Sequence, residues 1–509
     1  MTDQPEPTDP STPGAQRRVL SAMCLALVLV VASVSAVNLA LPDLAVALGA
    51  SNSALTWIAD GYTVALAAFV LPLGALGDRI GRRTVLITGT AVFAAGSVAA
   101  ALSDSTTSLI ASRVVMGLGA AMIMPGTLST ITATFPVDRR ARGVAIWSGF
   151  AAAGAIIGLI AAGALLEVWS WRSIFYTSAI VACLALAAAA LWSPNTRDQH
   201  PPRVDVLGTA LTVVGIGTLV FAIIEGSDRG WTEPVVIASF VVCAVSLAAY
   251  AAYGMRTDEP LLDPRLFGLP GFRAGSISVI VQFMAVFGFF FVGLQYLQLI
   301  LGYSPLHSAI ALVPVALAVL PVSVSTPAIV RRLGLNVTMC LGLLLLAAGL
   351  GWVAALNADS GYPPFLLGLI VAGIGIGITS STGTSAIVGS LSADQQGVAS
   401  AVNDTTREVG SAIGIALMGA VFTSRYTASL PDLSQLPAEA AKAVRDSAAA
   451  GLEVATRMGP SGAELTHTVR TAFMDGLSAA LIAVVIPIVL TAIGALLRAP
   501  RKSSAQDTH

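Results

Sequence analysis

Ionisable side chains occur at four places where the surrounding sequence is as apolar as lipid. Asp60 stands in "WIADGY" at the head of one apolar run, and Arg113 stands in "SRVVMGLGAA" inside another. Further on, "NDTTREVG" gathers Asn403, Asp404, Arg407 and Glu408. The fourth place is "GALGDRIGRR", residues 74–83, where Gly74, Asp78, Arg79, Gly81, Arg82 and Arg83 crowd into one short turn. An ionised residue at bilayer depth costs roughly 2.5–3.5 kcal/mol on insertion scales, and such residues usually mark function. An acid in a cleft of low polarity takes up a proton readily, which is the chemistry a proton-coupled site needs. Asp60 fits that role, or it is a rim residue, since it lies only a few positions inside the lipid boundary. Arg113 is a functional charge, or it binds backbone carbonyls of a neighbouring helix. On a helix, Asn403 and Arg407 share a face, as do Asp404 and Glu408, and Asp404 can also pair with Arg407. That cluster either binds a proton or cation, or neutralises itself as a packing network.

The elements that must hold these groups are helices in lipid. The chain has 509 residues, 55% hydrophobic and 11% charged, with mean hydropathy +0.82. Soluble domains carry about 25% charged residues, so this composition cannot cover a water-facing surface. Fourteen apolar runs, each about 20 residues and long enough for a bilayer core, are centred near residues 30, 67, 94, 118, 153, 182, 216, 243, 287, 317, 345, 374, 411 and 485. Backbone in lipid must satisfy its own hydrogen bonds, so the runs are helices. They are continuously apolar and lack the alternation of barrel strands. The fold class is therefore an all-α polytopic membrane protein.

A net charge of −1 gives no electrostatic case for nucleic acid. Cys24, Cys183, Cys243 and Cys340 sit singly in apolar runs, without metal or disulfide spacing, and read as small buried hydrophobes. No metal and no cofactor is expected. Lysine is nearly absent (Lys442 and Lys502), a hint of a GC-rich bacterial genome. Alternate connections collect most of the 27 basic residues: Arg17 and Arg18, the 79–83 turn, Arg139 to Arg142, Arg197 and Arg203, Arg256 to Arg273, Arg331 and Arg332, and Arg498 to Lys502. Short loops rich in Lys and Arg face the cytoplasm. Both termini are thus expected there, in a multi-pass protein of a bacterial cell (inner) membrane. Residues 425–472, Ala-rich with mixed charge, are expected as an external loop with some amphipathic helix. His307 and Glu225 read as residues of the external rim, and Trp57, Trp231 and Tyr303 as belt aromatics.

The chain also repeats itself. The fifth run, "RGVAIWSGFAAAGAIIGLIAAGALL", and the thirteenth, "QGVASAVNDTTREVGSAIGIALMGAVF", both open on Gly-Val-Ala and carry glycines four apart, Gly154/Gly158 and Gly410/Gly414. Gly117 and Gly119 in the fourth run answer Gly373 to Gly377 in the twelfth, and "RIGRR" answers "RRLGLN". Runs 2–5 thus echo runs 10–13. This offset predicts two six-helix bundles with runs 7 and 8 inserted between them. Paired repeats place a substrate site near the midplane between the halves, and small residues every fourth position let helices approach closely.

At this point a family is visible. "GALGDRIGRR" resembles the signature between helices 2 and 3 of the major facilitator superfamily. The fourteen runs, with "VNLALP", "WIADGY" and "LILGYSPLHSAIALVP", resemble its drug:proton antiporter branch with 14 transmembrane helices, over about residues 19–497. The resemblance implies a cytoplasmic tail at 1–18, disordered by composition, a first bundle at 19–195 and a linker with two inserted helices at 196–265. A second bundle at 266–497 and a tail at 498–509 complete it. It implies proton-coupled export of amphipathic drugs, antiseptics, dyes or antibiotics by alternating access, with the lipid bilayer as surroundings and a monomer as the working unit. A dedicated exporter of one natural product, siderophore or lipid is the alternative. No enzyme is expected, because no catalytic constellation is present.

The signature turn would act as a breakable clasp, its arginines pairing with acids or carbonyls across the seam between halves. Arg113 matches the family's helix-4 arginine of the proton relay, with Asp60, Asp404, Arg407 and Glu408 as coupling residues. Gly154, Gly158 and Gly163 match the helix-5 antiporter motif. Two departures stand out: Ser33 occupies the place of a helix-1 acid, and Leu159 that of the helix-5 proline.

Overall fold

The computed structural model describes residues 12–48, 52–196, 205–258, 260–392, 395–446 and 448–499. Among them are fourteen helices long and apolar enough to cross a membrane, and no strand. Spans 1 to 6 are Pro13–Ala40, Trp57–Ile80, Arg82–Ala101, Thr106–Thr134, Val137–Leu166 and Arg172–Trp192; spans 7 and 8 are Val206–Ile223 and Pro234–Gly254. Spans 9 to 14 are Pro270–Ile300, Leu306–Leu333, Leu335–Ala354, Tyr362–Gly389, Val398–Ser429 and Gly459–Arg498. An even number of crossings leaves both chain ends on one side of the bundle, here called the termini end.

The outside of the bundle is greasy, with Leu191, Val245, Leu490 and Leu497 exposed. Spans 4 and 12 are the most enclosed, 78% and 72% of their apolar windows being buried, against 22% for span 8. That ranking places 4 and 12 as equivalent central helices and leaves span 8 peripheral, as an insertion would be.

Glycine contacts repeat from half to half. A methyl group on Gly158 would stand 2.5 Å from the Ala32 carbonyl oxygen of span 1, and one on Gly414 would collide with the Met284 carbonyl of span 9. At Gly119 it would reach the Gly89 carbonyl of span 3 at 2.8 Å, and at Gly375 the Gly342 carbonyl of span 11 at 2.7 Å. Gly117 meets the Tyr62 carbonyl of span 2, and Gly377 the Val319 carbonyl of span 10. Each pair of contacts is displaced by eight spans. Gly158→Val is expected to cost about 1–3 kcal/mol by overpacking. A thermal melt in detergent checks this; a midpoint equal to wild type would mean span 1 moves aside at no cost.

Several boundaries differ from expectation. The first helix begins at Pro13, so residues 13–18 are helical. An α-helix satisfies its own backbone bonds and need not stop where lipid does. Residues 1–11, Arg197, Arg203 and the tail from 500 on lie outside the described residues. Helix intrudes on both ends of the 425–472 segment, span 13 running to Ser429 and the last helix starting at Ala463. Between them stand short helices Ala438–Asp446 and Ala448–Arg457, tied down where the Tyr426 hydroxyl donates to the Val444 carbonyl at 2.7 Å. Cys183 is exposed on the outward face of span 6, while Cys24, Cys243 and Cys340 are buried. The apolar run identified a span but not which face points to lipid.

Candidate functional site

Arg113 lies seven positions past Thr106, the first residue of span 4, and is fully buried. Its Nε donates to the Ile58 carbonyl at 2.9 Å and its Nη2 to the Ala59 carbonyl at 3.2 Å, while the guanidinium lies 4.5 Å over the Tyr62 ring. Carbonyl binding is thus realised. The close approach at Gly117 makes it possible, and the charge is set beside the backbone that carries Asp60. Asp60 is helical in span 2, and its side chain lies outside the described residues. Tyr62 is held in turn, its hydroxyl donating to the Val30 carbonyl of span 1 at 3.1 Å and its ring meeting Phe93 edge-on.

Span 13 carries the second group. Asn403 accepts from the Thr384 hydroxyl of span 12 at 3.0 Å and reaches Asp404 Oδ1 at 3.4 Å. Asp404 is fully buried, and its Oδ2 has no hydrogen-bond partner. Arg407 is buried too, and Nε, Nη1 and Nη2 all lack a hydrogen-bond acceptor. Instead its guanidinium lies 4.6 Å from the Trp147 ring of span 5 and 4.8 Å from the Phe283 ring of span 9. Direct pairing of Asp404 with Arg407, which their spacing allows, is not what the structure adopts. Two aromatic faces attract the planar cation, each contributing about 0.5–2 kcal/mol when desolvated. Glu408 is half-buried, within electrostatic reach of Arg407, Asp404 and Tyr62.

Both halves build this group. Trp147 belongs to the first bundle, fixed by donation from Nε1 to Thr127 Oγ1 at 3.0 Å, whereas Phe283 and Arg407 belong to the second. Towards the termini end the halves touch directly: the Ser400 hydroxyl donates to the Pro125 carbonyl at 2.9 Å, and Gly74 faces Ala401 and Pro125. Phe272, Val279, Ile387 and Val388 of the second bundle join the core of the first there.

The signature turn holds together differently from expectation. Arg82 donates from Nε to Asp78 Oδ1 at 2.8 Å, with Nη2 at 2.7 Å from the same oxygen, both side chains being buried. Gly81 has φ +111°, a region that favours glycine. A Cβ there would also meet Asn195 Oδ1 at 2.7 Å. The Arg82 amide donates to the Thr196 carbonyl at 2.9 Å, and Arg83 donates to the Ala190 carbonyl. Arg82 and Arg83 therefore bind within the first bundle rather than across the seam, Arg82 to Asp78 of span 2 and Arg83 to a carbonyl in the last turn of span 6. Arg79 is exposed. Gly74, at the head of this stretch, does meet the other half.

This architecture coincides with a known family. The model of the Major Facilitator Superfamily matches residues 23–415. The chain belongs to that superfamily. It is 30% identical to the multidrug efflux pump LfrA of Mycolicibacterium smegmatis over 93% of its own length and 94% of the pump's. It is 29% identical to the tetracenomycin C resistance and export protein of Streptomyces glaucescens, covering 91% of this chain and 87% of that one. Among solved structures, the proton:xylose symporter XylE superposes with a TM-score of 0.62 over 97% of this chain and 98% of its own, at 14% identity, a likeness of fold.

In this facilitator the helix-5 motif is a packing stripe with two partners. Gly154 and Gly158 lie on span 1 at Val31 and Ala32, whereas Gly163 faces Leu306 of span 10. Leu159, where the resemblance expects proline, is buried in the core of the second bundle, and span 5 runs helical from Val137 to Leu166. Glu225 is buried and paired with Arg229, not a solvated rim acid. His307 is exposed, its ring 3.1 Å from the Ser304 hydroxyl at the start of span 10. Trp147, Phe283 and Tyr62 escaped the reading of the sequence. The signal available was a tryptophan in mid-span, away from the interfacial belts where tryptophan gathers.

Proposed function

We propose that this facilitator is a proton-coupled exporter of amphipathic drugs, antiseptics, dyes or antibiotics, working by alternating access. The observation that carries the reading is the buried Asp404 and Arg407, with half-buried Glu408 beside them, on the seam between the two bundles. Charges at that depth are costly unless used. The adjoining ring system, Phe283 with Phe287 at 5.9 Å and Phe287 with Phe290 at 6.1 Å, supplies apolar surface suited to flat amphipathic molecules. The relatives described above are a multidrug pump and a tetracenomycin C exporter, which supports the same direction of transport. The second of them also supports the alternative, a dedicated exporter of one natural product.

The protein would act without catalysis and as a monomer in a bacterial inner membrane, with both termini cytoplasmic. Uptake of ethidium into everted membrane vesicles under an imposed pH gradient tests the coupling. Uptake that ignores the gradient would remove antiport from the account. A resistance panel in an efflux-deficient host separates broad export from a single substrate. For topology, exposed Ser434 provides the site. The Ser434→Cys protein is expected to react with an impermeant maleimide in intact cells, and labelling only after lysis would invert the orientation.

A further inference from the structure

Arg407 poses a physical problem. Its guanidinium has five N–H donors and no acceptor, in a fully buried position, although Asp404 and Glu408 stand three residues before it and one after it on the same helix. Unmet donors on a buried cation cost more than almost any other defect. The arrangement persists because two rings flank the cation, and those rings come from different bundles: Trp147 from the first, Phe283 from the second. The flanking therefore exists only while span 5 lies against spans 9 and 13.

We propose that the Trp147–Arg407–Phe283 stack is the element that converts movement of the halves into proton release. It rests on the antiport reading above. With the halves closed over the cluster as seen here, the rings hold the guanidinium away from Asp404, whose Oδ2 stays without a partner and free to keep a proton. When span 5 swings away, Trp147 leaves with it, anchored to Thr127 of its own bundle. Arg407 then loses one of its two faces, and its nearest replacement partners are the carboxyl groups of Asp404 and Glu408. A guanidinium arriving on a carboxylic acid favours the ionised form, so a proton leaves to water on the side that has opened. Closure restores the stack, withdraws the countercharge and lets the acids reload.

The surroundings fit this division of labour. The titratable groups within electrostatic reach of Arg407 are Asp404 and Glu408. Tyr62 of span 2 and Arg113 of span 4 come next, linked to the cluster through Glu408. Spans 5 and 9 present the two rings, and their ionisable residues, such as Arg142 and Arg273, lie near the termini end. The helix of span 7 offers the Glu225–Arg229 pair at its far end, and span 14 offers Glu464, His467, Arg470 and Asp475 in its loop-side half. Trp147 and Phe283 are thus positioning residues that act through Arg407.

The test uses the full chain in proteoliposomes with ethidium as substrate, measuring protons moved per ethidium moved. That ratio does not depend on how much active protein is present, so a merely structural defect leaves it unchanged. Trp147→Leu and Phe283→Leu are each expected to lower the ratio at least threefold, whereas Trp147→Phe, which keeps an aromatic face, stays near wild type. A wild-type ratio in both leucine variants, or an equal fall in Trp147→Phe, overturns the proposal. Should Trp147→Leu fail to fold, Phe283→Leu decides. Wild-type protein that moves ethidium with no proton flux would instead sink the antiport reading beneath it.

Discussion

Asp404→Asn should reduce pH-gradient-driven ethidium accumulation in everted vesicles at least tenfold, with folded protein recovered at close to the wild-type amount. Asparagine has the shape of aspartate but cannot exchange a proton at neutral pH. The contacts around it favour tolerance: Asp404 Oδ2 has no hydrogen-bond partner to lose, and Asn403 stays fixed by Thr384. Arg407 is flanked by rings and not bonded to Asp404, so the substitution strands no ion pair in the closed state. A tenfold loss corresponds to about 1.4 kcal/mol of coupling. Glu408→Gln should act in the same direction and more weakly, because Glu408 is only half-buried and water can stand in for it. Accumulation at the wild-type level in Asp404→Asn, measured at matched expression, would take Asp404 out of the coupling path.

How far this site could be read from sequence depends on whether the interaction is local. The fourteen spans were legible because lipid imposes its demand run by run: every backbone group must be satisfied within one helix. The repeat was legible for a related reason, since Gly158 and Gly414 each need a close carbonyl and that need is written as a small residue in register. Arg113 was legible as a buried charge, but its partners on span 2 were not. The Asp404–Arg407 pairing shows the limit. Helical spacing states which groups can meet, and here two rings distant in sequence outcompete a carboxylate three residues away. At the turn, Arg82 departs from expectation in the opposite sense. Asp78 closes span 2 and Arg82 opens span 3, and the two pair locally around Gly81, where the family resemblance directed the arginine across the seam.

That local pair carries the other large expectation. Asp78→Ala should destabilise the protein by about 3–5 kcal/mol, the usual penalty for removing one partner of a buried ion pair and leaving its charge uncompensated. Arg82 could not turn to water to recover: it is as buried as Asp78, and its own amide is held by the Thr196 carbonyl at 2.9 Å. The double variant Asp78→Ala/Arg82→Ala should regain much of the loss, since apolar replacement of both partners leaves no stranded charge. Transport should not return with stability. Without the pair, the turn no longer fixes the end of span 2, and Gly74, seven residues before the turn at Gly81, loses its seating against Ala401 and Pro125. Thermal melts of the three proteins, paired with vesicle transport at matched expression, separate the two effects. A single variant as stable as wild type would mean that the arginine finds another acceptor. A double variant that transports normally would mean that the turn is needed only for folding.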